Sequence, residues 1–180
     1  MKRIKLQHFI FLAVFLAFSC NKKSDLLIEK PVVDQDASVN KICHTWNLVE
    51  YTIETNAGVF NYDGPELNDH ALKTLTFLSN GKYLASDPGW SGIYLLINNN
   101  TTLAFIPADS NLISFQLDFE GQEPSAFALV SPWVRINPEA DNSSLYDQFV
   151  AYEAKHWLQL NGINTYNFKS VRIRFRYSLR

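Results

Sequence analysis

Four histidines, two cysteines and a run of arginines are the side chains in this sequence best suited to chemistry. His8, His44, His70 and His156 lie far apart, with no H-x-H, H-E-x-x-H or cysteine pairing, so the spacing supports no metal site. Asp69-His70 has the types of a catalytic pair, yet it falls in a polar stretch with no nucleophile elbow near it. No phosphate-cradling G-x-x-x-x-G-K-[ST] or G-x-G-x-x-G occurs, Gly89-Trp90-Ser91-Gly92 reads as a turn, and the carboxylates pick out no glycosidase pair. The residues thus point away from an enzyme and imply no catalytic residue, metal or cofactor. Arg172, Arg174 and Arg176 alternate with apolar residues. They form either the solvent face of a strand, an interior carboxylate clamp, or a surface for anionic lipid or a partner.

Cys20 stands at a composition boundary. Met1-Lys2-Arg3-Ile4-Lys5 is a basic head, Phe9 to Phe18 an apolar run too short to span a bilayer, and Asn21-Lys22-Lys23 follows the cysteine at once. That is a secretory signal over 1–19. Leu16-Ala17-Phe18-Ser19-Cys20 resembles the lipobox of bacterial lipoproteins, with Ala17 and bulky Phe18 as its departures. The resemblance implies that Cys20 takes a diacylglycerol and a palmitate-type acyl chain, becomes the new N-terminus and anchors the protein permanently. With Asn21 rather than aspartate after the cysteine, it implies the outer membrane of a Gram-negative envelope, periplasmic or surface-facing. Residues 20–40 are then a mixed-charge tether interrupted by Pro31. If Cys20 carries lipid, Cys43 has no disulfide partner and is either a small buried residue or a free thiol.

The remaining body, 41–180, is long enough for one domain. The chain is 47% hydrophobic and 14% aromatic, which suffices for a core, and its net charge of -2 argues against nucleic acid as a partner. Short apolar runs alternate with turn signals, the pattern of antiparallel β-structure. His44 to Thr55 reads as a first strand with Val49, Tyr51 and Ile53 on one face, and Asn61 to Asp69 reads as a loop. "LKTLTFLSNGKYLAS" is a hairpin turning at Asn80-Gly81. Gly92–Ile97 and Leu103–Ile106 flank Asn98-Asn99-Asn100, and Asp109-Ser110-Asn111 turns the chain into a strand with Ile113, Phe115, Leu117 and Phe119 on one face. Ala126 to Ile136 reads as one strand bent at Pro132.

The region near 143–161 predicts a helix with a Ser144/Asp147 capping box, an Asn161-Gly162 stop, and Leu145, Phe149, Tyr152, His156 and Leu160 along one stripe. A strand over His156 to Leu160 is the alternative. In the last strand Val171, Ile173, Phe175 and Tyr177 oppose the three arginines.

About eight strands with one inserted helix predict a mainly β, antiparallel barrel. "TWNLVEYT", "LTFLSNGKYLAS" and "GIYLLINNNTTLAF" resemble the lipocalin-like domains of bacterial lipoproteins, over Ile42 to Phe119. The resemblance implies that Trp46 closes one barrel end. With the strand pattern and its aromatic-rich inward faces, it points to Phe77, Phe115, Leu117, Ile173 and Phe175 as the lining of a space for a small hydrophobic or amphipathic ligand. The helix is not accounted for by a minimal barrel and reads as an insertion against the wall or over a mouth. The expected function is a membrane-anchored binding barrel. The competing expectation is a barrel filled by its own side chains, serving as a structural or interaction module for an unidentified protein partner.

Overall fold

The computed structural model describes residues 41–108, 112–121, 124–137 and 144–179. All of these fall within one compact unit, Asp34–Arg180. Among the described residues ten strands form: β1 Thr45–Thr55, β2 Gly58–Asp63, β3 Thr74–Phe77, β4 Lys82–Ala85, β5 Gly92–Ile97, β6 Thr102–Pro107, β7 Ile113–Glu120, β8 Ala126–Val130, β9 Val134–Arg135 and β10 Ser170–Leu179. The helix α1 Leu145–Leu160 precedes β10.

Eight strands close a barrel in the order β1-β3-β4-β5-β6-β7-β8-β10, with β10 pairing back onto β1 and every neighbour antiparallel. Closure removes the exposed edges that so apolar a sheet would otherwise present. β2 and β9 lie outside the ring, pairing with the far half of β1 and the start of β10.

Chain-local chemistry sets most turns. Asn98, Asn99 and Asn100 all adopt positive φ, the conformation asparagine tolerates best after glycine. The β3–β4 turn closes with the Gly81 N–H on the Leu78 carbonyl at 3.1 Å, and Gly81 takes φ +79° there. At the β1–β2 corner the Thr55 hydroxyl accepts from the N–H groups of Ala57 (3.2 Å) and Gly58 (3.0 Å).

Four sequence expectations need correction. Asn61–Asp63 is strand, not loop, because β2 continues antiparallel from Thr55 and Gly58 across a two-residue turn. Ala126 to Ile136 is two strands, since Ser131 and Pro132 break the ladder and β10 receives each piece separately. Val49 does not share the inner face: a β-bulge between Leu48 and Glu50 shifts the register, so Trp46 and Leu48 point inward before it, Tyr51 and Ile53 after it. The helix also buries the other stripe. Val150, Ala151, Ala154 and Leu158 meet the body, whereas Leu145, Tyr152, His156 and Leu160 are exposed. Small residues let the helix backbone approach the strands closely, which outweighs the larger apolar area of the predicted stripe. The capping box itself forms, with the Ser144 hydroxyl accepting from the Asp147 N–H at 3.0 Å.

Candidate functional site

The inner faces of the strands meet in a column of rings. Trp46 stands edge-on to Phe127 (4.8 Å between centroids), Phe127 stacks on Tyr177 (5.1 Å) and meets Phe77 (6.4 Å), and Phe77 reaches Phe105 (6.0 Å). Phe105 contacts Phe115 (6.1 Å), Phe115 contacts Phe175 (5.8 Å), and Phe175 stacks on Tyr51 (4.9 Å). Edge-to-face and offset packing of this kind adds about 0.5–1.5 kcal/mol per pair beyond burial. Of the residues expected to line a ligand space, Phe77, Phe115 and Phe175 belong to this column. Leu117 and Ile173 are buried on the same inner faces.

Trp46 sits at one end, fully buried, its indole N–H donating to the Ile42 carbonyl at 2.8 Å. Ile42 is also fully buried, and the Phe77 N–H donates to the His44 carbonyl at 3.1 Å, so the segment entering β1 crosses this end and ties to β3. Beside it the Cys43 thiol lies 3.4 Å from the Tyr94 hydroxyl, which donates to the Leu78 carbonyl at 3.0 Å. Cys43 is a free, half-buried thiol.

α1 covers the opposite mouth. Tyr146 contacts the interior ring of Phe115 at 5.8 Å, and Trp157 contacts Tyr51 at 5.4 Å, Tyr62 at 5.4 Å and His70 at 5.3 Å. Among these rings lies a polar cluster. The Leu72 N–H donates to His70 Nδ1 at 3.0 Å, which assigns the ring proton of neutral His70 to Nε2. Nε2 is 3.2 Å from Glu153 Oε1, the oxygen that also accepts from the Trp157 indole N–H at 3.0 Å. The His70–Glu153 approach is close but misaligned for a hydrogen bond. His70 Nε2, Tyr51 Oη and Tyr62 Oη are therefore buried polar atoms without partners. Tyr177 is satisfied, donating to the Leu72 carbonyl at 2.8 Å.

Burial raises the Tyr51 phenol well above its ordinary value, with the Glu153 charge and Tyr62 adding to it. Burial and then Glu153 do the same for Tyr177. These phenols stay neutral and can donate hydrogen bonds. The cluster can bind and orient a polar group. Asp69 is exposed, and His70 pairs instead with Glu153 from α1. Nothing in local sequence signals that pairing, because its partners are separated by most of the barrel.

The arginine stripe faces outward, while Val171, Ile173, Phe175 and Tyr177 are fully buried. That removes the interior clamp. The strand register sets Glu50 opposite Arg176, Thr52 opposite Arg174, and Glu54 opposite Arg172. Arg172 bonds Glu54 at 2.7 Å and lies over the Trp133 ring at 5.1 Å. Arg176 grips Glu120 with two bonds of 2.8 Å. The stripe is a charge-matched outer wall.

Cys20 lies outside the described residues. Among the described residues no group of three His, Cys, Asp or Glu side chains is placed to hold a metal, and no helix is long and apolar enough to cross a membrane. Comparison with known proteins finds no matching family model, curated protein or solved structure.

Proposed function

We propose that this protein is a lipoprotein of the bacterial envelope, held to the membrane through Cys20, whose barrel is a filled, non-enzymatic interaction module. The observation that carries the reading is the ring column from Trp46 to Tyr51, whose members all expose 6% or less of their surface. Small eight-stranded barrels either pack their interior or hold one ligand, and here the apolar volume is taken by the protein's own rings. A packed barrel is a rigid support for outward-facing residues.

One observation favours the carrier reading as a second possibility. His70 Nε2, Tyr51 Oη and Tyr62 Oη lack partners beneath α1, and a buried donor left unpaired costs about 1–3 kcal/mol. An amphipathic molecule entering under the helix would satisfy them with its polar head.

Native mass spectrometry of the protein purified without hydrophobic additives from its host separates the two. The filled module gives the mass of the acylated chain alone and takes up neither a fatty acid nor a fluorescent hydrophobic probe. A further mass released only on denaturation would overturn it in favour of the carrier. For the anchor, Cys20→Ala should release the protein from the membrane fraction and abolish labelling by a palmitate analogue.

A further inference from the structure

A second feature lies on the outer surface, where α1 ends and the chain turns toward β10. A cleft of about 340 Å³ opens there, lined by Asn137, by Lys155 and Gln159 of α1, and by Ile163 to Tyr166 of the chain that follows it. We propose that this cleft binds a carbohydrate, specifically one or two neutral hexose units of a glycan.

The walls are fixed before any ligand arrives. The helix ends in a Schellman motif: the Gly162 N–H donates to the Gln159 carbonyl at 2.9 Å and the Ile163 N–H to the Leu158 carbonyl at 2.9 Å, with Gly162 at φ +73°. Asn164 Oδ1 then accepts from the Tyr166 N–H at 2.9 Å, holding the next turn. Lys155 Nζ donates to Asn137 Oδ1 at 3.0 Å. These bonds use the carbonyl oxygens of the two asparagines and leave both side-chain NH₂ groups for a ligand. The Gln159 amide supplies a donor and an acceptor together, which is what a sugar hydroxyl requires.

Tyr166 supplies the other half of the chemistry. It is 90% exposed, so folding gains nothing from its ring. A flat aromatic face beside paired amides suits a pyranose, whose ring carries an apolar C–H face and an equatorial belt of hydroxyls. Among the described residues the lining holds one cation, Lys155, engaged with an amide, and no carboxylate. That favours a neutral ligand over an anion. The cleft's size matches the lower range of small-molecule sites. This assignment is independent of whatever fills the barrel.

The test is titration calorimetry of the full chain with N-acetylglucosamine disaccharide, cellobiose and maltose, and with inorganic phosphate as the anion control. At least one disaccharide should bind saturably. Tyr166→Ala and Gln159→Ala should each weaken it tenfold or more, while Tyr166→Phe, which keeps the ring face, should stay within about twofold. Both residues are exposed, so all three variants should melt within a degree or two of the parent, since surface changes of this kind cost little. No disaccharide binding at millimolar concentration, binding indifferent to Tyr166→Ala and Gln159→Ala, or binding of phosphate alone would each overturn the proposal.

Discussion

Alkaline titration gives the sharpest check on a packed interior. Burial raises six of the eight tyrosines above their ordinary value: Tyr51, Tyr62, Tyr83, Tyr94, Tyr146 and Tyr177. Tyr51, Tyr62, Tyr83, Tyr94 and Tyr177 expose 4% or less of their surface. A group whose folded pKa is raised contributes stability that is complete below its unfolded value and is lost as pH rises from there through the folded value. The unfolded value is about 10, so the loss begins near pH 10. At pH 11 an unfolded chain gains about 1.4 kcal/mol for each phenol it can ionise and the fold cannot. Five such phenols make at most about 7 kcal/mol, comparable with the whole stability of a domain at about 5–15 kcal/mol.

The assay follows tyrosinate absorbance at 295 nm and tryptophan fluorescence in one titration. Ionisation should lag behind that of the denatured chain and then rise steeply between about pH 10 and 12, together with the loss of native fluorescence. Tyr51→Phe removes one of the coupled protons and an unpartnered hydroxyl, and should move the midpoint upward. A gradual titration of nearly all eight tyrosines centred near pH 10, with fluorescence still native, would refute the reasoning, because the rings would then be reachable by water without unfolding.

Other outcomes follow from single contacts. In Gly92→Ala the new methyl would overlap the Ile106 carbonyl oxygen and approach Pro107 Cα to 2.9 Å, all backbone atoms of β6. The strand pair must spread, and chemical denaturation should show a loss of roughly 2–4 kcal/mol. Ser144→Ala removes the α1 N-cap and should cost about 1 kcal/mol, with faster amide exchange in the first helical turn. The hydrogen bonds from Arg176 lower the Glu120 carboxyl, so the pair's stabilisation is present above the ordinary carboxyl pKa and fades as pH falls through the lowered value. Both side chains are more than a third exposed, which limits the effect to about 0.2–1 kcal/mol. Arg176→Gln should remove that share of the acid dependence in melts between pH 2 and 5, leaving the midpoint at pH 7 within a few degrees.

Where local rules decide conformation, the chain could be read directly. Period-two alternation in "LISFQLDFE" and "VRIRFRYSL", the asparagine triplet and the Asn80-Gly81 turn led to the observed strands because each acts within a few residues. Failures came where a distant partner decided. The bulge that ejects Val49 is a mismatch between β1 and β10, invisible within β1 alone. Likewise the helix selected its small-residue stripe for closeness of approach to the barrel, a quantity no hydrophobic periodicity contains.

The candidate site at the mouth was hidden for the same reason. His70 lies on the connection between β2 and β3, Glu153 and Trp157 on α1, and Tyr51 on β1; only barrel closure brings the four together. Yet the cluster follows from what a barrel must do with its ends. Trp46 finishes the opposite end with a ring and a bond to its own chain, four residues back. The α1 mouth is closed by a separate element, so it requires groups that fix the helix's position as well as exclude water. An apolar lid would tolerate sliding. A glutamate that accepts from Trp157 at 3.0 Å and faces His70 at 3.2 Å, among stacked rings, specifies one seat for the helix. The cost is the unpaired Tyr51 and Tyr62 hydroxyls, which makes this mouth the place where the polar groups of the interior are least completely satisfied.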